Sequence, residues 1–218
     1  MPGPDQIVAC PSCRALAKHM TLASGNTFGA RAWTDGKQVA PMLPCPPAVV
    51  RCHSCAACYW LTDAEKIGTV NPWYGEGSQV DPAWATAPEV HEPTEDEYYD
   101  AVRKGLATDA EQQLTLRILA WWRRNDTFRD PPQGDVASIA TGPGLWRENL
   151  EALVSLLDEA DENKRLMKAE ALRELGEFES AQQILGRVAS ADYAAVVRQL
   201  RSLCGAGDAC VRELQYGG

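Results

Sequence analysis

No run of about 18 apolar residues occurs in the chain, so no segment reads as a membrane-spanning helix. Phosphate loops are missing too. Gly142-Pro143-Gly144 fits neither Gly-x-x-x-x-Gly-Lys-Ser/Thr nor Gly-x-Gly-x-x-Gly. Histidine is scarce, and His19, His53 and His91 stand at spacings that suit neither a metal site nor a triad. Positive charge is short as well. Residues 1–70 carry six Lys/Arg against four Asp/Glu, while the remainder carries 15 against 26, for a net charge of −9 over 218 residues. An acidic part of this size repels a phosphate backbone, which disfavours nucleic acid as a partner. Nothing in the sequence assembles a catalytic set, and the expectation is a protein that is not an enzyme.

What is present is cysteine. There are eight, and Met1-Pro2-Gly3-Pro4-Asp5-Gln6 shows neither the basic nor the apolar part of an export signal. The expected compartment is the cytoplasm, where a reducing environment favours metal ligation over disulfides. Two stretches repeat each other. Ile7-Val8-Ala9-Cys10-Pro11-Ser12-Cys13-Arg14-Ala15-Leu16 aligns with Val49-Val50-Arg51-Cys52-His53-Ser54-Cys55-Ala56-Ala57-Cys58, and apolar residues match at most positions. Each copy reads as a short strand feeding a tight turn with two thiolates. Paired Cys-x-x-Cys turns are the ligand set of a structural zinc ion, because such a turn lets two sulfurs reach one ion at about 2.3 Å.

The expected ligands of a Zn²⁺ are therefore Cys10, Cys13, Cys52 and Cys55, with a set of buried free thiols as the alternative. Cys58 also completes a Cys-x-x-Cys with Cys55, but it aligns with Leu16, a strand position, and is expected to pack as a small hydrophobe. His53 aligns with Pro11 and is expected to point away from the metal. Cys45 lies among prolines as a bystander. A closed four-cysteine site leaves no coordination position for substrate, so it stabilises a fold and does not catalyse.

Thirty-eight residues separate Cys13 from Cys52. Within them, Thr27–Trp33 and Lys37–Leu43 flank Asp35-Gly36, a signal for a type I′ hairpin turn. The arrangement over residues 7–61 resembles the zinc-ribbon family, in which two knuckles flank a hairpin. That resemblance implies a small antiparallel β module and a structural zinc, and zinc ribbons serve both nucleic-acid binding and protein docking. Arg14 and Ala56 stand where the family usually places glycine after each knuckle.

Residues 68–93 are punctuated by Asn71-Pro72-Trp73-Tyr74-Gly75, Asp81-Pro82-Ala83-Trp84 and Ala87-Pro88. They read as an ordered connector whose tryptophans dock on neighbouring surfaces. From Thr94 onward the chain reads as helices. Thr94-Glu95-Asp96-Glu97 and Thr108-Asp109-Ala110-Glu111 are capping boxes. Leu114, Ile118 and Trp121 form one apolar stripe; Trp146, Leu150, Leu153, Val154 and Leu157 form another. Of the pair Trp121-Trp122, one ring is expected in the core and one at its rim.

Lys164–Leu175 and Glu177–Val188 read as two helices hinged at Gly176, and Ser190 as the cap of a last helix ending near Cys204-Gly205. Ala169–Leu185 resembles the turn of a tetratricopeptide (TPR) repeat: Gly176 permits the turn, Phe178 fills the groove and Ala181 allows close approach. An unrelated helical bundle is the alternative. Cys204 and Cys210 are expected to pack, with a redox pair or a second metal half-site as the less favoured readings.

The expected fold is α+β: a zinc-ribbon-like β module over 1–67, a connector over 68–93 and an all-α, TPR-like domain over 94–218. The expected function is that of a zinc-binding adaptor whose helical surface takes a peptide or protein. A zinc-ribbon nucleic-acid binder is the alternative.

Overall fold

Val49-Val50 and Ile7-Val8 are β-branched pairs that lose little by being extended, and all four are buried. Each pair leads into a hairpin. The computed structural model describes residues 1–71, 81–129 and 144–215. Its fold class is α+β, with small antiparallel sheets first and helices after. The strands are β1 (Asp5–Ala9), β2 (Leu16–His19), β3 (Arg31–Ala32), β4 (Gln38–Val39), β5 (Val49–Arg51), β6 (Cys58–Trp60) and β7 (Glu65–Val70). They pair as a sheet of order β2-β1-β7 and two separate hairpins, β3-β4 and β5-β6. A bulge between Ile7 and Val8 shifts the register of β1 against β7.

The chain divides into two compact units: Met1–Ala30 with Ala40–Leu106, and Arg31–Val39 with Ala107–Gly218. In the first, Val8, Cys10, Ala17, Val50, Cys52, Tyr59 and Ala64 form the core. The connector is part of this unit. Asp81 caps the short helix α1 (Pro82–Ala85), accepting from the Ala83 N–H at 2.8 Å. The ring of Trp84 lies so close over Gly68 that a Cβ there would stand 2.4 Å from it. The docking expected of the connector's tryptophans thus holds for Trp84. Pro72, Trp73, Tyr74 and Gly75 lie outside the described residues.

Beyond α1 the chain runs extended between the two knuckle hairpins. Lys18 N–H donates to the Pro88 carbonyl at 2.8 Å, Val90 N–H to the Lys18 carbonyl at 2.8 Å, and Arg51 N–H to the His91 carbonyl at 2.9 Å. One segment therefore ties β2 to β5. Thr94 then opens α2 (Glu95–Arg103) with the complete capping box expected. The indole N–H of Trp60 donates to the Leu106 carbonyl at 3.2 Å.

The second unit contains α3 (Ala110–Arg129), α4 (Leu145–Leu156), α5 (Glu162–Glu174), α6 (Phe178–Leu185) and α7 (Ala194–Gly205). Each of these helices packs on the next. Residues 130–143, which include Gly142 and Pro143, lie outside the described residues. The cap of α3 differs from the expected box by one position. Asp109, not Thr108, accepts from the Gln112 N–H at 2.8 Å, and the Gln112 side chain reaches back to the Thr108 N–H at 2.9 Å. On α3 the fully buried residues are Leu116, Ala120, Trp121 and Asn125, while Leu114 and Ile118 are half-buried against the α4 cluster. Trp122 lies at the rim of that cluster. The α4 stripe is as expected, with Trp146, Leu150, Leu153 and Leu157 buried.

The β3-β4 hairpin groups with the helices and not with the knuckle strands. Its turn also differs from type I′. Trp33 N–H bonds the Lys37 carbonyl at 2.9 Å and Gly36 N–H bonds the Trp33 carbonyl at 2.9 Å. The loop is therefore three residues, Thr34-Asp35-Gly36, with Gly36 at φ 82° and Asp35 outside the left-handed region. The C-terminal segment lies along β3: Thr34 N–H donates to the Arg212 carbonyl at 2.8 Å, and Leu214 N–H to the Ala32 carbonyl at 2.7 Å. These bonds account for the grouping.

Candidate metal centre

Cys10 and Cys13 sit in the turn between β1 and β2, and Cys52 and Cys55 in the turn between β5 and β6. The two turns are built alike. Cys10 N–H donates to the Ala15 carbonyl and Cys52 N–H to the Ala57 carbonyl, both at 2.9 Å. Arg14 N–H closes back on the Cys10 carbonyl at 2.9 Å, as Ala56 N–H does on Cys52 at 3.0 Å. Arg14 and Ala56 hold φ at 65° and 60°, the only described residues other than glycine with positive φ. The knuckle needs this left-handed residue to bring its second sulfur beside its first, and the chain supplies the conformation without glycine.

The four Sγ atoms lie within 4.8 Å of one another. Cys10 Sγ is 3.9 Å from Cys55 Sγ, and Cys13 Sγ is 3.6 Å from Cys52 Sγ. A tetrahedron with ligands about 2.3 Å from its centre has edges of about 3.8 Å, so both distances fit one four-coordinate ion. They far exceed a disulfide's length of about 2.05 Å. Cys10 and Cys52 belong to the core of the first unit, while Cys13 and Cys55 are exposed. The centre is thus anchored from inside and faces solvent on its outer side.

Backbone N–H groups aim at the sulfurs, as metal thiolates require. Ser54 N–H lies 3.4 Å from Cys52 Sγ. Burial pushes the Cys10 thiol up against the bonds it accepts from Cys13 and Ser12. The Ala15 N–H and then Cys55 hold Cys13 down at about 7. Cys55 accepts from the Ala57 N–H, yet Cys13, burial, Cys52 and Cys10 push it up to about 12. The sulfurs thus compete for negative charge, and ionising all four requires a cation among them. The residues fit a metal ion.

Cys58 begins β6, is half-buried and has its pKa raised, first by burial. It lies outside the cluster, as does the exposed His53. Cys45 is exposed, Cys204 is buried in the helical core and Cys210 is half-buried. Burial raises the pKa of both Cys204 and Cys210, which disfavours a reactive thiolate. Among the described residues, the four knuckle cysteines form the one group of three or more possible metal ligands.

No protein-family model, curated protein or solved structure matches the chain.

The second unit holds a feature the sequence reading missed, a buried polar network. Trp121 Nε1 donates to Glu174 Oε2 at 2.8 Å, and Asn125 Nδ2 donates to Glu174 Oε1 and Asp35 Oδ2, each at 2.9 Å. Arg129 pairs with Asp35 through both terminal nitrogens. Arg173 grips Glu170 at 2.7 and 2.6 Å and donates to the Cys210 carbonyl at 2.7 Å. Burial, then the Glu170 and Asp35 carboxylates, push Glu174 well above the ordinary carboxylate range.

A signal was available. Glu170, Arg173 and Glu174 follow Leu166 at i+4, i+7 and i+8, in phase with a buried leucine. Asp35, by contrast, carried only a turn signal. The network joins hairpin, α3, α5 and C-terminal segment by hydrogen bonds: Asp35 pairs with Arg129 and Glu170 with Arg173, while Glu174 accepts from Trp121 and Asn125. It reads as structural.

Proposed function

We propose that the protein is a non-enzymatic adaptor in which a structural Zn²⁺, held by Cys10, Cys13, Cys52 and Cys55, fixes the first unit while the helical unit binds a peptide or protein. The observation that carries the metal reading is the pair of matching knuckles, whose sulfurs stand 3.6 and 3.9 Å apart across the site. Zinc suits an all-thiolate tetrahedron, and four protein ligands leave no open position for catalysis. The helical reading is supported by successive packing of α3 to α7. It is supported too by a turn of TPR-like character, in which Gly176 has φ 83° and Ala181 is wholly buried.

Nucleic-acid binding is the weaker reading because four of the six basic side chains of residues 1–70 are engaged in ion pairs. Arg14 pairs with Glu65, Arg31 with Glu213, Lys37 with Asp126 and Arg51 with Glu97. Metal analysis of the purified full chain, together with peptide display against it, tests the proposal. About one zinc per chain and enrichment of a shared peptide motif are expected. No enrichment, with salt-dependent binding of duplex DNA or RNA, would replace the adaptor reading.

A further inference from the structure

The second unit contains a cavity of about 390 Å³, within the range of ligand pockets. Its walls include Trp33, Trp122, Met167, Tyr193 and Val196, and the one charged residue lining it is Asp192. The Trp33 ring is already occupied by cations of the chain itself, with Arg31 and Arg129 each 4.9 Å from its centroid. Among the described residues, no cation stands over Trp122 or Tyr193. Trp122 is held from behind, its indole N–H donating to the Asp35 carbonyl at 3.0 Å. Asp192 is exposed, and its backbone N–H is anchored on Ser190 Oγ at 3.3 Å. The carboxylate itself makes no hydrogen bond or ion pair with a described residue.

A pocket with aromatic and thioether walls, one unpaired carboxylate and no basic lining residue repels anions. It favours a cation on an apolar stem, through ring-face attraction and a charge pair. We propose that this cavity binds a lysine or arginine side chain of a partner polypeptide. The proposal rests on the adaptor reading and specifies what the helical unit would recognise. The second unit's own balance, 19 Asp/Glu against 15 Lys/Arg over residues 31–39 and 107–218, suits a basic partner segment.

The test uses isotope-labelled full chain and four probes: acetyl-lysine-amide (free ε-amine), acetyl-arginine-amide, the neutral acetyl-norleucine-amide and free pentylamine. The two basic amides should shift the Trp122 indole, Tyr193 and Met167 methyl resonances, while norleucine amide should not. Asp192→Asn should weaken that binding about two- to five-fold, as expected of an exposed charge pair. Trp122→Phe should weaken it further without loss of the folded spectrum.

Equal shifts from norleucine amide, or binding unchanged in Asp192→Asn, would overturn the proposal. So would pentylamine binding as tightly as the basic amides, which would make a free amine the ligand. Peptide display separates the two readings. Enriched peptides that lack a basic residue would leave the adaptor standing and remove the cation pocket, whereas no enrichment removes both.

Discussion

Arg14 and Ala56 share one backbone conformation, φ 65° and 60°, each at the residue that follows the second cysteine of its knuckle. A side chain with a Cβ in this region costs about 1–2 kcal/mol that glycine does not. The first prediction is therefore that Ala56→Gly stabilises the metal-loaded protein by about 0.5–1 kcal/mol, the glycine's extra unfolded-state entropy offsetting part of the relief. Urea unfolding measures it, and destabilisation by this change would argue that Ala56 is not left-handed in solution.

Metal binding and folding should be one event in the first unit. Cys13→Ser and Cys52→Ser are expected to lose the metal and the dispersion of the amide signals of residues 1–30 and 40–71. Cys58→Ala should retain about one zinc per chain, because Cys58 lies outside the cluster. A chelator should mimic the serine variants. Full zinc content in Cys52→Ser would refute the ligand set.

Glu174 sets a pH dependence with a definite sign. Its folded-state pKa is raised above 4.5, first by burial, so the folded chain binds more protons than the unfolded one between 4.5 and the raised value. This residue's contribution to stability therefore falls as pH rises through that window. In Glu174→Gln that component disappears. Unfolding free energies at about pH 5 and about pH 8 should converge on a smaller pH dependence in the variant, after common contributions cancel. An identical slope in both proteins would show that Glu174 titrates normally.

Gly68 and Trp84 should be coupled. A Cβ at Gly68 would sit 2.4 Å from the Trp84 ring, so Gly68→Ala is expected to cost about 1–3 kcal/mol. In a Trp84→Ala background most of that cost should vanish. A double-mutant cycle on the full chain reads the difference, and additive effects would mean that the ring does not dock there.

The local features were legible because they rest on neighbours in sequence. The offset that aligns Cys10 with Cys52 also aligns Leu16 with Cys58, and β2 and β6 begin at those residues. The Thr94 capping box, the α4 stripe and the turn at Gly176 follow from contacts within about four residues. Where two local solutions differed by little, the sequence reading slipped by one position. Asp109 took the cap from Thr108, and a three-residue loop replaced the two-residue turn at Asp35-Gly36.

The remainder was decided by long-range pairing. The β3-β4 hairpin could have joined the knuckles, but a hydrogen bond to the Arg212 carbonyl and one from the Leu214 N–H, together with the burial of Asp35 against Asn125 and Arg129, group it with the helices. No spacing rule announces such partners, because a buried carboxylate is tolerated only when distant donors converge on it. The amino-acid sequence by itself determined the four sulfurs and the turns that present them. Only the tertiary structure decided where the hairpin pairs, which charges are buried, and that Trp122 and Asp192 line one cavity.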